Sequence, residues 1–128
     1  MRDEQVRRYA RHILLPDVGG LGQTALLTAT AQVDVAHAAG LIAASYLTAG
    51  GTGTLVAEHA GEPELTTLRA FNPDTQIVRE PMQGKHAVPV AIPDAPPWWI
   101  ATSGDETALA FWRGGIAAVR WMAPIANR

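Results

Sequence analysis

Metal, nucleophilic and acid–base chemistry need particular side chains at particular spacings, and this chain offers few of them. Its four histidines, His12, His37, His59 and His86, form no H-x-x-H or H-E-x-x-H pattern, so residue order places no two imidazoles on one metal. Cysteine is absent, which removes disulfides, thiol nucleophiles, redox pairs and cysteine-bound zinc together. Ser45 and Ser103 lack the G-x-S-x-G setting that lifts a nucleophilic serine onto a sharp turn. Lys85 is the only lysine. Arg7, Arg8 and Arg11 cluster on a short predicted helix and could meet an acidic partner, although such clusters are more often solvated faces.

The elements that must position these groups follow from the apolar pattern. Residues 3 to 12 read as a short helix, too short to stand alone in water. Asp17 to Gly22 reads as a glycine-rich turn, with a helix from Gln23 to Ala29 after it. A strand is predicted over 31 to 36, and a helix over Ala38 to Ala49 that Gly50-Gly51-Thr52-Gly53 stops. Thr54 to Ala57 reads as a second strand, Glu64 to Phe71 as a helix ended by Asn72-Pro73, and Thr75 to Glu80 as a third strand. Proline-rich residues 81 to 97 read as loop with an extended piece at Val88 to Ile92. Beyond them come a strand at Trp98 to Ala101, a helix at Asp105 to Trp112 and a last strand at Ile116 to Met122. Alternating strands and helices predict an α/β fold with a largely parallel sheet.

A chain of 128 residues, 48% hydrophobic and 17% charged, is expected to fold as a single globular domain. A net charge of −2 leaves no electrostatic footprint for nucleic acid or an anionic membrane surface. No apolar run is long enough to span a bilayer and the N-terminal residues lack a signal-peptide core, so a cytoplasmic location is expected. Trp98, Trp99, Trp112 and Trp121 are expected as core or interface anchors.

Several motifs stand in a recognisable order. Arg8-Tyr9-Ala10-Arg11-His12-Ile13-Leu14-Leu15 is followed by Gly19-Gly20-Leu21-Gly22-Gln23, then by Tyr46 to Leu55 with its Gly50-Gly51-Thr52-Gly53 centre. Leu68 to Asp74 carries an Asn-Pro-Asp, and Ala101-Thr102-Ser103-Gly104-Asp105 comes last. Together they resemble the ThiF/MoeB/HesA family, the bacterial relatives of ubiquitin-activating enzymes. The resemblance implies a Rossmann-like domain that binds ATP and adenylates the C-terminal glycine of a ubiquitin-like sulfur carrier. It also implies dimers in which Arg11 reaches toward a neighbour's nucleotide. On this reading residues 1–30 form an N-terminal helical arm and residues 31–128 a reduced Rossmann-like domain, covering the N-terminal half of the family pattern with an internal gap.

The family's chemistry does not carry over with its motifs. Its nucleotide loop is a G-x-G-G-x-G run in which bare backbone approaches the phosphates. Counted back from Tyr46, those glycines fall on Val35, His37, Ala38 and Gly40, and only Gly40 remains, which alone reads more readily as a helix-packing residue. Glu58 lies within one residue of the position of the ribose-binding acid, with His59 the alternative, although a plain surface carboxylate is the commoner reading; Asp105 or Ser103 matches the magnesium ligand, although either also reads as a helix N-cap. The S-N-L-x-R-Q segment and catalytic lysine are missing. A single oxyanion-type donor is worth about 3 kcal/mol of barrier, so losing several together removes most of the rate. The first strand, Ala31-Gln32-Val33-Asp34-Val35, alternates as if one face were wet, and an unpaired Asp34 would be costly to bury. A missing layer of the parent fold is expected there.

The remnant site is therefore Arg11, Gly40, Glu58 and Asp105, with no metal site. No cofactor is expected, or ATP with magnesium if the nucleotide site is retained. The expected function is that of a non-catalytic, partner-binding or regulatory relative, as a homodimer or in a heterodimer with a full-length paralogue, engaging a ubiquitin-like sulfur carrier. The alternatives are a working ATP-dependent adenylyltransferase, alone or completed by a partner subunit, and a nucleotide sensor without turnover.

Overall fold

Four short strands lie side by side and all run parallel: β1 (Thr30–Asp34), β2 (Thr54–Glu58), β3 (Gln76–Val78) and β4 (Ala87–Pro89), in the order β3-β2-β1-β4. The computed structural model describes residues 1–99 and 105–127. Register pairs Ala31 with Leu55 and with Val88, and Leu55 with Ile77. Side chains alternate across a strand, so Ala31, Val33, Leu55, Ala57 and Ile77 share one face, and all five are buried. Gln32 and Asp34 point the other way and remain half-exposed. The alternation read in the first strand is real.

That asymmetry follows from the connections. The helix α4 (Ala38–Ala49) links β1 to β2, and α5 (Glu62–Phe71) links β2 to β3. Both crossovers step the same way along the sheet, so right-handedness puts both helices on one face. The return from β3 to β4 steps the opposite way and crosses the other face as residues 79–86, which contain no helix. Lys85 lies on that face, its Nζ donating to Thr54 Oγ1 at 2.9 Å. The protein is thus an α/β fold of reduced Rossmann-like type, with one helical layer and an N-terminal helical arm.

The arm comprises α1 (Asp3–Arg8), α2 (Ala10–Ile13) and α3 (Gly19–Thr28). The single helix expected over 3 to 12 is broken at Tyr9, whose side chain leaves the surface to become buried. The expected turn over 17 to 22 is largely helix, because α3 begins at Gly19. Gly22 is held there by packing: a Cβ at that position would lie 2.5 Å from the Ala126 carbonyl oxygen.

The C-terminal region departs furthest from expectation. A helix at 105 to 112 and a strand at 116 to 122 are replaced by one helix, α6 (Glu106–Ala126), of 21 residues. Ala110, Gly114, Ala117, Ala118, Trp121 and Ile125 are buried at helical spacing. Gly114-Gly115 does not end the helix, because Gly114 is where α6 closes on α4. A Cβ on Gly114 would stand 2.6 Å from the Ala39 carbonyl and 2.7 Å from Ile42 Cγ2. Gly114→Ala gains helix propensity of about 1 kcal/mol and loses more to overpacking, so a net loss of about 1–2 kcal/mol is expected. Urea unfolding measures it.

Other boundaries shift less. Helix α4 runs from Ala38 to Ala49 as expected, whereas of the extended piece expected over Val88 to Ile92 only residues 88 and 89 are strand, within β4. The strand expected at Trp98 to Ala101 is not formed at Trp98 and Trp99, which sit in a turn with ring centroids 5.6 Å apart. Its remaining residues, 100 and 101, lie outside the described residues. Of the four tryptophans only Trp121 enters the core, with Nε1 donating to the Val88 carbonyl at 3.0 Å, while Trp98 is largely exposed. Among the described residues no helix is long and apolar enough to cross a membrane.

Candidate functional site

Strand order reverses between β1 and β4, and in open parallel sheets ligands settle in the crevice beyond the carboxyl ends of the strands at that point. A cavity of about 530 Å³ occupies this place. Asp34, His37 and Gly40 line it from the end of β1 and the start of α4; Ile92, Glu106 and Arg113 close the other side. Arg113 is fixed by its Nε, which donates to the Pro93 carbonyl at 2.6 Å.

Gly40 has a packing role. A Cβ there would fall 1.8 Å from the Asp34 carbonyl oxygen, so the glycine lets α4 start directly against the end of β1. In a dinucleotide fingerprint the third glycine serves helix–strand packing and the earlier ones admit phosphate. Gly40 occupies such a packing position, and the residues before it at Val35, His37 and Ala38 carry side chains. Val35 is buried, and its N–H donates to the Glu58 carbonyl at 3.1 Å, continuing the sheet. The Ala36 N–H donates to Asp34 Oδ1 at 2.9 Å. His37 is the N-cap residue of α4, with extended backbone and no capping bond from its side chain.

Asp34 is held on both sides. Its Oδ1 also lies 3.1 Å from His59 Nδ1, and His59 has a left-handed φ of 63°. The Ala36 N–H first, and His59 second, keep the Asp34 carboxyl below the ordinary range. A triphosphate entering this crevice would meet two carboxylates, Asp34 and Glu106, against the single guanidinium of Arg113.

The other residues singled out from the sequence do not converge here. Glu58 ends β2 in register with Asp34, half-buried and outside the cavity lining. Asp105 caps α6, accepting from the Ala108 N–H at 3.1 Å, which is the N-cap reading. Arg11 is exposed on α2, in a surface hollow that includes His12 and Ala49 at the far end of α4 from Gly40. Ser103 lies outside the described residues. No group of three or more potential metal ligands is assembled among the described residues. Glu106 and Arg113 were missed; they stand seven residues apart on one side of α6, a relation visible only once 105 to 126 is read as one helix.

A second polar assembly gathers the most recognisable motifs. The Tyr9 hydroxyl donates to Asp74 Oδ2 at 2.8 Å and accepts from Asn72 Nδ2 at 2.7 Å. Asn72 Nδ2 also donates to the Thr48 carbonyl at 2.9 Å. Arg8 and Arg2 both pair with the Asp74 carboxylate. Alongside, His12 Nδ1 meets Gln23 Oε1 at 2.8 Å, and Gln23 Nε2 donates to the Gly50 carbonyl at 3.1 Å. Gly51 (φ 89°) has no room for a side chain, since a Cβ would fall 2.4 Å from Gln23 Nε2 and 2.7 Å from the Tyr9 ring. These residues clamp the arm to the sheet.

Burial alone would raise the Asp74 carboxyl, but hydrogen bonds from Tyr9 and Arg8 and the charges of Arg8 and Arg2 outweigh it and hold the group below its ordinary range. A depressed folded-state value makes the contribution to stability complete above the unfolded value, near 3.9, and lost as pH falls through the folded one. Thermal melts should therefore be level in this respect above about pH 5 and fall below about pH 4, and Asp74→Asn should flatten that fall. An unchanged acid limb in the variant would remove the assignment.

No family model matches the chain, and no curated protein resembles it at a significant level.

Proposed function

We propose that this protein is a non-catalytic relative of the ThiF/MoeB/HesA adenylyltransferases, acting in the cytoplasm as a partner-binding or regulatory subunit for a ubiquitin-like sulfur carrier or its activating enzyme. One observation carries the reading. Two backbone donors at the start of the crevice loop are taken within the chain, Val35 by the Glu58 carbonyl and Ala36 by the Asp34 carboxylate, and side chains stand at Val35, His37 and Ala38. The clamp uniting Arg8, Tyr9, Asn72 and Asp74 supports it from the other side, since it gives the retained motifs a structural task that needs no nucleotide.

ATP with magnesium should leave the melting temperature unchanged, because a ligand stabilises only the state it binds. Carrier-dependent exchange of pyrophosphate into ATP should be absent. Stabilisation that rises with ATP concentration, or measurable exchange, would overturn the reading. The rival, an adenylyltransferase completed by a partner subunit, draws on the exposure of Arg11 at the far end of α4. It requires that adding this chain raise exchange by a full-length paralogue and that Arg11→Ala abolish the gain.

A further inference from the structure

Three charged side chains lining the crevice keep atoms that no partner among the described residues takes up. Arg113 uses only its Nε, on the Pro93 carbonyl, and no acceptor meets its terminal nitrogens, although the residue is half-buried. Glu106 enters no hydrogen bond or ion pair. The contacts that hold Asp34, with the Ala36 N–H and His59, both fall on Oδ1 and leave Oδ2 unclaimed. Glu106, Leu109, Ala110 and Arg113 recur at helical spacing, so α6 turns one stripe to the cavity, with an acid at one end and a base at the other. These two cannot neutralise each other. Seven residues set them about 10.5 Å apart along the axis, whereas helix side chains pair at three or four. We propose that the crevice binds a small zwitterion with an apolar side chain, a free amino acid or short peptide, its carboxylate on Arg113 and its ammonium on Asp34 and Glu106.

Charge selects this class. Two carboxylates repel a polyanion and the guanidinium repels a plain diamine, whereas one molecule carrying both signs answers all three groups. A half-buried guanidinium without a counterion is costly, and a carboxylate relieves it best, because two parallel N–H···O bonds match its planar fork. The Pro93 carbonyl holds Nε and so orients the fork before a ligand arrives, with Nη1 and Nη2 left for that pair. Asp34 is prepared in the same way. Its carboxyl is kept below the ordinary range by the Ala36 N–H first and His59 second, so it stands ionised to receive an ammonium. Shape agrees with charge. The wall formed by Ile92, Leu109 and Ala110 is apolar and suits a hydrocarbon side chain, and about 530 Å³ lies in the range of small-molecule sites, far beyond the needs of a single ion.

Calorimetric titration with L-leucine and with the dipeptide alanyl-leucine tests the site. N-acetyl-leucine, which lacks the ammonium, and leucinamide, which lacks the carboxylate, are the matched controls. The dipeptide sets its two charges about 3.5 Å further apart, so the tighter of the two probes tells a free amino acid from a peptide. At least one should bind, and each blocked form should bind more weakly by about tenfold or more, the loss expected from one charge-assisted pair. Glu106→Gln removes no contact within the chain, so its unliganded melt should match the parent while affinity for the zwitterion falls by a similar factor. Arg113→Gln should abolish binding, and the Glu106→Gln result decides even if loss of the Pro93 contact loosens that second variant. Absence of heat and of any rise in melting temperature with both zwitterions at millimolar concentration would overturn the proposal. So would blocked forms that bind as well as the free ones, or an affinity that Glu106→Gln or folded Arg113→Gln leaves unchanged. Adenylation is decided separately by pyrophosphate exchange, so failure here leaves that reading standing.

Discussion

Gly40→Ala is expected to destabilise the protein by about 3 kcal/mol, at the upper end of overpacking costs. One added methyl falls 1.8 Å from the Asp34 carbonyl oxygen, and the obstacle is backbone at both sides, so no rotamer relieves it. Either α4 withdraws from the end of β1 or β1 bends, and Ala39, Ala43 and Val35 lose their packing with it. The melting temperature should fall by roughly 10 °C. Gly20→Ala is the matched control. A Cβ there comes no nearer than 4.0 Å to Met1 Cε, so the helix-propensity gain should make it neutral or slightly stabilising. If Gly40→Ala melted with the parent, the packing role assigned to this glycine would be wrong.

Asp74→Ala is expected to cost about 3 kcal/mol, in the range for removing one partner of a buried charge network. The Asp74 side chain is only 3% exposed and accepts from Tyr9, Arg8 and Arg2. Without it the Tyr9 hydroxyl loses its acceptor inside the fold, and Arg8 loses the charge it was ordered around. Asp74→Asn keeps an acceptor for Tyr9 and gives up only the charge, so its loss should be about half as large. Because the clamp joins α1 and α2 to the sheet, protease cleavage near the arm should quicken in Asp74→Ala before global unfolding does. Equal cleavage rates in parent and variant would separate the arm from this cluster.

The parallel sheet and its helical layer were legible because they rest on local signals: alternation in β1, the glycine stop after α4, and the Asn-Pro break after α5. The one-sided layer was legible too, through Gln32 and Asp34 standing where a doubly covered strand would carry apolar residues. The α6 helix was not, because Gly114-Gly115 looks like a break when read alone. Its meaning depends on Ala39 and Ile42, which sit far back in the chain. Tyr9 illustrates the same limit. Its ring occupies the interior because Asn72 and Asp74 receive its hydroxyl, and nothing in the residues around it announces that. At the crevice the side chains of Val35, His37 and Ala38 could be read from the residues, whereas the capture of the Ala36 N–H by Asp34 depends on how the chain folds.

The sheet's outer strands set a limit on how copies of this molecule gather. β3 and β4 span three residues each, and β4 ends on Pro89, which has no N–H to offer a newcomer. Lateral growth by added strands is discouraged on both margins.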